Sequence, residues 1–376
     1  MNIVMLTTYY HPHVSGLTLY FQRLAEEYVE LGHNVTILCA QHDKNLKSKE
    51  IIKGVKVIRT PYLIKINKGM ILPKIIIDAW KPLKEADVLH NNLPSIEALP
   101  VVILAKLFRK PIVTTYVCDI TLPKFFGSKL LDKIIDINHH LVLKLSDTIA
   151  SFTLDFAKHS RVLKGYYKNT VEVLPIVELN KKHIIKINEL ENSPHPRIGM
   201  ATRIAADKGI DYLVNALPLI WKKYPTAELF IVGTINAVGE EKYLEKLKPL
   251  FKKYEEKIHL LGQIDPNAMP YYFKNIDVLV VASTNSTEAF GMVQVEAMLE
   301  GTPVVATDLP GVRVPIKTTG MGEIAKIADS EDLAKKIISV LSNAKSYSMD
   351  TLHKFNKQSV IETNLNLYKD LLKRDE

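Results

Sequence analysis

Short apolar runs alternate with longer stretches of helical period through the first 180 residues. Ile3–Leu6, Val35–Leu38, Val55–Ile58, Val88–His90, Ile112–Thr115 and Thr148–Ala150 are predicted as buried strands. Between most of them, 16–32, 95–109, 129–145 and 153–163 carry apolar residues at helical spacing. That rhythm predicts a parallel sheet covered by helices on both faces, because right-handed βαβ crossovers bring every strand's carboxyl end to one edge. Ligands are expected at that edge. Over 181–196 the pattern lapses into polar, proline-bearing sequence ending in Asn192-Ser-Pro-His-Pro196, read as a linker. The rhythm then resumes with strands at 197–202, 227–233, 257–261, 277–281 and 303–306 and helices at 209–223, 239–254, 266–273 and 291–300. A second Rossmann-like domain is therefore expected over 197–350. Leu352–Leu372 is helix-like, and its mixed charged face assigns 351–376 to neither domain.

Composition supports two folded domains in 376 residues: 47% hydrophobic and 24% charged residues exclude a disordered or disulfide-scaffold chain. Only Cys39 and Cys118 are present, which fits a reducing compartment and excludes a Cys-based zinc site. Met1–Leu6 lacks the basic region of a signal peptide and reads as a strand, so a cytoplasmic location is expected. The longest apolar run, Leu99–Leu107, is interrupted by Lys106 and falls short of the roughly 20 residues of a membrane span. A net charge of +8 suits nucleic acid, anionic lipid or a phosphorylated small molecule, and does not choose among them.

No P-loop, zincin or nucleophile-elbow motif is present. The first strand-to-helix turn, Thr7 to Gly16, has one glycine where a dinucleotide site wants three. His11 and His13 lie two apart on that turn without further ligands, so no metal is assigned. Gly16 opens a helix whose N–H groups suit a phosphate, although any such turn can use a glycine. A stronger signal follows the strand at 197–202, where Arg203 and Lys208 stand five apart before Gly209 and a helix. A planar fork and a point charge suit a diphosphate; the alternative is a solvated basic loop. As exposed loop cations they are expected to matter more to turnover than to folding. Beyond the strand at 277–281 come a polar loop with Glu288, a tight entry at Gly291 and Glu296 about one and a half turns into a helix. Two such carboxylates can accept from vicinal hydroxyls, as on a sugar and a ribose, with N–H groups of Met292 and Val293 beside them.

The run Glu288-x-Phe290-Gly291-x4-Glu296-Ala-Met-x-x-Gly301-x-Pro-Val-Val-Ala306 resembles the E-x7-E signature of the retaining GT-B glycosyltransferases grouped as family 4. The likeness extends to Arg203, to Lys208-Gly209 and to Tyr10-His-Pro-x-x-Ser-Gly16. It implies an α/β, GT-B fold: two Rossmann-like parallel-sheet domains facing each other across a cleft, with the acceptor held by 1–180 and the donor by the second domain. By resemblance, Glu288 contacts donor-sugar hydroxyls, Glu296 the ribose diol, and Arg203 and Lys208 the diphosphate. Phe290, Gly291, Met292 and Val293 line the donor with backbone groups, and Gln263 and Ile264 fall where the family holds the base. The donor would be a UDP- or GDP-sugar, with no cofactor and no metal, the basic pair supplying the charge a cation would. Configuration would be retained, the departing phosphate taking the acceptor's proton. The acceptor would be a glycan or a lipid-linked precursor.

Two departures stand out. Ser15-Gly16 replaces a usual Gly-Gly, and Val113-Thr-Thr-Tyr-Val117-Cys-Asp119 resembles a Thr-Tyr-His-Cys-Asp run whose histidine faces the transferring sugar. Val117 cannot donate a hydrogen bond there, so the chain reads as a divergent member, a weakened enzyme or an engineered variant. Tyr116 or Asp119 is the candidate replacement, and His90 either leans toward the cleft or is structural. On the acceptor side, Leu63–Ile77 and Lys124–Ile135 mix basic and bulky apolar residues, fitting an anionic membrane surface or core-packed helices with snorkelling lysines. The rival readings are a catalytically silent donor-binding module and a nucleic-acid binder, the latter without any recognised module, so no nucleic-acid partner is expected.

Overall fold

The computed structural model describes residues 1–66, 69–120, 128–179, 181, 183–343 and 347–373. The chain divides into two compact units, Met1–Ile176 with Asn356–Glu376, and Val177–Phe355.

The first unit is built on β1 (Asn2–Leu6), α1 (Gly16–Glu30), β2 (Asn34–Ala40), β3 (Lys49–Ile52) and β4 (Val55–Thr60). A small hairpin, β5 (Ile64–Ile66) and β6 (Gly69–Ile71), follows, then α2 (Ile75–Glu85), β7 (Val88–Leu93), α3 (Ala98–Leu107) and β8 (Ile112–Tyr116). It continues with α4 (Ser128–Leu145), β9 (Thr148–Ser151), α5 (Leu154–His159) and β10 (Thr170–Glu172). The sheet order is β10-β9-β8-β7-β1-β2-β4-β3, parallel except for β3 against β4. Along β7 and β8 every side chain is buried, as strands covered on both faces require. From β1 the chain goes to β2 on one side, while β7 lies on the other, so the loops after β1 and β7 diverge and open a crevice at the carboxyl edge.

The second unit contains α6 (Asn188–Glu191), β11 (Arg197–Ala201), α7 (Ile210–Trp221), β12 (Glu228–Val232), α8 (Glu241–Lys253), β13 (Ile258–Gly262), α9 (Met269–Lys274) and β14 (Val278–Val281). Then come α10 (Met292–Leu299), β15 (Val304–Thr307), α11 (Val314–Thr319), β16 (Gly322–Ala325) and α12 (Ser330–Ser342). Its all-parallel order, β13-β12-β11-β14-β15-β16, places the switch point between β11 and β14. Leu213 and Leu217 of α7 and Leu333 and Ile337 of α12 pack on Leu229 and Val280 of the sheet. The polar stretch before β11 is held to this unit by a Lys181–Glu300 ion pair and by the Ile185 N–H on the Asn267 carbonyl.

The last helix, α13 (Lys357–Leu372), returns to the first unit. Its buried Tyr368 hydroxyl meets Nδ1 of His90 at 2.5 Å and the Tyr28 hydroxyl at 3.1 Å. His90 also meets the Thr115 hydroxyl at 2.7 Å, which makes it a core residue. Cys39 and Cys118 are not joined in a disulfide, and burial pushes the Cys39 thiol up to about 12. Among the described residues no helix is long and apolar enough to cross a membrane.

The pattern predicts nothing at β3, β10, α11, β16 or α12, and the helical reading of 63–77 is corrected by a hairpin at Ile64–Ile66 and Gly69–Ile71, with helix starting only at Ile75. In the basic and apolar stretch 63–77 the structure has the hairpin and the start of α2; residues 67–68 lie outside the described residues, as do 121–127, which hold Lys124. The helix expected over 153–163 ends at His159, where Ser160 turns extended, and only a separate 3-10 turn follows at Leu163–Gly165; that expected over 95–109 begins only at Ala98, beyond Pro94.

Candidate active site

Apart from Gly16, which opens α1 in the first unit, the donor-side residues named above belong to the second unit and lie on or beside the loops that follow β11, β13 and β14. Gly209 and Gly291 make the two tight entries. Gly209 adopts φ +65°, and a Cβ there would stand 2.1 Å from the Ala282 carbonyl oxygen. Gly291 adopts φ +73° as N-cap of α10, with Gln294 Nε2 only 2.7 Å from where a Cβ would be. Gln294 fixes this turn by donating to the Phe290 and Val312 carbonyls. The first N–H groups of α10, beginning at Met292 and Val293, have no acceptor within their own helix. Phe290 turns its ring into the core against Phe355, so only its backbone is available to a ligand.

The charged groups are interlocked. Lys208 Nζ meets Glu288 Oε2 at 2.7 Å and Asp207 Oδ2 at 3.6 Å. Arg203 donates to Asp207 at 2.7 Å and to Glu240 at 3.4 Å. Asp207 also receives the Thr287 hydroxyl, while its carbonyl takes the Thr284 N–H, so it ties the β11 loop to the β14 loop. Lys208 is only 15% exposed, which corrects the expectation of an exposed loop cation. Burial disfavours its ammonium, but the Glu288 and Asp207 carboxylates outweigh that and hold its pKa above the usual lysine value. Glu296 lies in the second turn of α10 at 8% exposure. Gln263 is exposed after β13 and donates to the Thr234 hydroxyl at 3.0 Å; Ile264 beside it is half-buried. Asp207, readable as an acid between two cations, and Glu240, which arrives from a later loop and leaves no local signal, complete the cluster beyond what spacing predicts.

In the first unit Ser15 caps α1 by accepting from the Thr18 N–H, leaving Gly16 exposed at its first turn. Val117 follows β8, 8% exposed, its N–H on the Leu93 carbonyl. Asp119 accepts from the Tyr116 and Ser160 hydroxyls and the Arg161 N–H. Burial, with Asp119 next, raises the Tyr116 pKa, so these two groups serve each other as a fixed pair.

Two parallel-sheet α/β units, each with its loops at a switch point, are the GT-B architecture of glycosyltransferases. Residues 14–132 match the family described as Glycosyltransferase Family 4, and 181–359 that described as Glycosyl transferases group 1. The chain is 25% identical over 354 residues to the phosphatidyl-myo-inositol mannosyltransferase of Mycobacterium leprae, covering 91% of this chain and 88% of that protein. Sucrose-phosphate synthase from Thermosynechococcus elongatus superposes with a TM-score of 0.72 at 19% identity over 99% of each chain. Anabaena HepE, solved with UDP and glucose, gives 0.72 at 17% identity over 99% of each. The chain belongs to the family 4 glycosyltransferases of GT-B fold.

Proposed function

We propose that the chain transfers a sugar from a nucleotide-diphosphate sugar to a hydroxyl acceptor with retention of configuration and without a divalent metal. The observation that carries this reading is the set of two cations and two carboxylates, Arg203, Lys208, Glu288 and Glu296, around the β11–β14 switch point beside the start of α10. In this reading the donor diphosphate takes over Arg203 and Lys208 from their carboxylate partners, and the freed Glu288 accepts from sugar hydroxyls. Glu296 takes the ribose diol, and Gln263 and Ile264 flank the base, uracil or guanine. The acceptor oxygen bonds to the anomeric carbon as its bond to the diphosphate breaks, and the acceptor's proton passes to the leaving phosphate. Two cations face the charge that grows on that phosphate, the effect that does most in such transfers. Turnover of UDP- and GDP-hexoses with glycan and lipid-linked acceptors is expected to persist in EDTA and to give product of the donor's anomeric configuration by NMR. Inactivation by EDTA that Mg²⁺ or Mn²⁺ reverses contradicts the metal-free part. Inverted product contradicts retention.

An anionic membrane surface is the proposed setting. Leu130, Ile134, Ile137 and Leu141 form an exposed stripe along α4 at helical spacing, with Lys129, Lys133 and Lys144 also exposed on that helix. The wild type is expected to float with phosphatidylglycerol vesicles and not with phosphatidylcholine vesicles, and Ile134→Glu with Ile137→Glu to stay behind. Equal flotation of both proteins contradicts the assignment.

A further inference from the structure

Three carboxylates, Asp207, Glu240 and Glu288, face the cations Arg203 and Lys208, so this set carries net negative charge where an anionic diphosphate is to bind. Asp207 also takes the Thr287 hydroxyl at 3.1 Å, which joins the β11 and β14 loops, and Glu288 belongs to the β14 loop itself. Glu240 comes from elsewhere, at the start of α8, and sets both its oxygens on the β11 loop. One accepts from Arg203 at 3.4 Å and the other from the Ala206 N–H at 3.0 Å. A guanidinium and a backbone N–H side by side are donors that suit two oxygens of a phosphate.

Nothing in the fold of the second unit needs the Glu240 carboxylate in that place. Glu240 is the N-cap residue of α8, yet its side chain makes no capping bond. The neighbouring Glu241 does that work by accepting the Gly239 N–H at 3.0 Å. The loop that delivers Glu240 is exposed at Asn236, Val238 and Gly239, and the Glu240 side chain is itself partly exposed, so it can withdraw without opening the core.

We propose that Glu240 is a built-in competitor for the donor. Its carboxylate holds the place of one phosphate until a nucleotide displaces it, and it helps the nucleoside diphosphate leave by reclaiming Arg203. The inference rests on the transferase reading above and adds to it the regulation of that site: apparent affinity falls by the fraction of time that Glu240 is seated.

The test is calorimetric titration of the full chain with UDP, GDP and inorganic pyrophosphate, for the wild type, Glu240→Gln and Glu241→Gln. Glu240→Gln is expected to bind the nucleoside diphosphate and pyrophosphate about tenfold more tightly than the wild type, as when a seated competitor leaves the site open about a tenth of the time. Glu241→Gln removes the same charge one residue away and is expected to change the affinity less than twofold. Tm of Glu240→Gln is expected to stay near that of the wild type, because a partly exposed ion pair contributes little. Unchanged or weaker binding by Glu240→Gln overturns the proposal, since Glu240 would then merely hold Arg203 in position. An equal gain in both variants overturns it too, because the effect would be one of overall charge. If a nucleotide binds the wild type and Glu240→Gln alike, this proposal fails and the donor reading stands. If only pyrophosphate binds, and more tightly to Glu240→Gln, the donor reading fails and this one stands. If no probe binds any of the proteins, both fail.

Discussion

The Lys208 ammonium and the Glu288 carboxylate stand 2.7 Å apart, and each is the other's main neutralising partner. Removing Lys208 takes from the partly buried Glu288 its close cation, and removing Glu288 leaves Lys208 only the longer contact to Asp207, so each single alanine variant is expected to cost the second unit about 1–3 kcal/mol, discounted from a fully buried pair. The double variant is expected to regain part of that loss, and denaturant unfolding of all four proteins measures the coupling. Strict additivity would remove the pair from the account. Arg203→Ala, whose side chain is more exposed, is expected to cut kcat on the order of 10²-fold with little change in stability. Spacing alone makes Arg203, Lys208, Glu288 and Glu296 legible, because strand, loop and helix entry follow each other in sequence. It does not reveal that the cations and carboxylates neutralise each other, since that depends on two loops about 80 residues apart meeting at one edge.

Buried strands are legible in this chain because each is an apolar run covered on both faces. β3 and β10 are edge strands with exposed positions, and β16 begins with a glycine at φ +145°, so none of them gives such a run. α2 carries Pro82 inside it, which reads as a break. α12 does carry Leu333, Ala334, Ile337 and Val340 at helical spacing behind an Asp329 N-cap, a signal the strand rhythm passes over. The placement of α13 is set by Tyr368 meeting His90 and Tyr28, partners far away in the sequence. His90 on β7 and His139 on α4 give these elements a pH dependence. Burial alone lowers His90 to about 3, and burial with the Arg161 charge lowers His139 to about 3. Both folded values lie below the ordinary 6.5, so the stability they leave intact is present in full above pH 6.5 and is lost as pH falls toward 3. At pH 5 the first unit is expected to be weaker by about 2 kcal/mol per histidine than at pH 7.5. His139→Leu is expected to remove about half of that slope in denaturant titrations. An unchanged slope would contradict a buried, neutral His139.

At the scale of the whole molecule, each unit repeats one device: a parallel sheet whose strand order reverses once, with chemistry gathered where it reverses. The second unit gathers paired charge there, Arg203 and Lys208 against Asp207, Glu240 and Glu288, the set on which the proposed donor site rests. The net charge of +8 decides none of this, because the cations at the donor edge are already matched by Asp207, Glu240 and Glu288. The central claim is that the β11–β14 edge binds a nucleoside diphosphate, with Glu296 on the ribose and Glu288 on the sugar. Calorimetric titration of UDP and GDP, each with and without a hexose attached, into the wild type, Glu296→Ala and Glu288→Ala tests it. The account predicts that one nucleoside diphosphate binds the wild type and binds Glu296→Ala at least about tenfold more weakly. Glu288→Ala, with Lys208 released, is expected to bind it as well as the wild type or better, while losing the affinity that the attached hexose adds. No binding of either nucleotide, or an equal loss in the two variants, would contradict it.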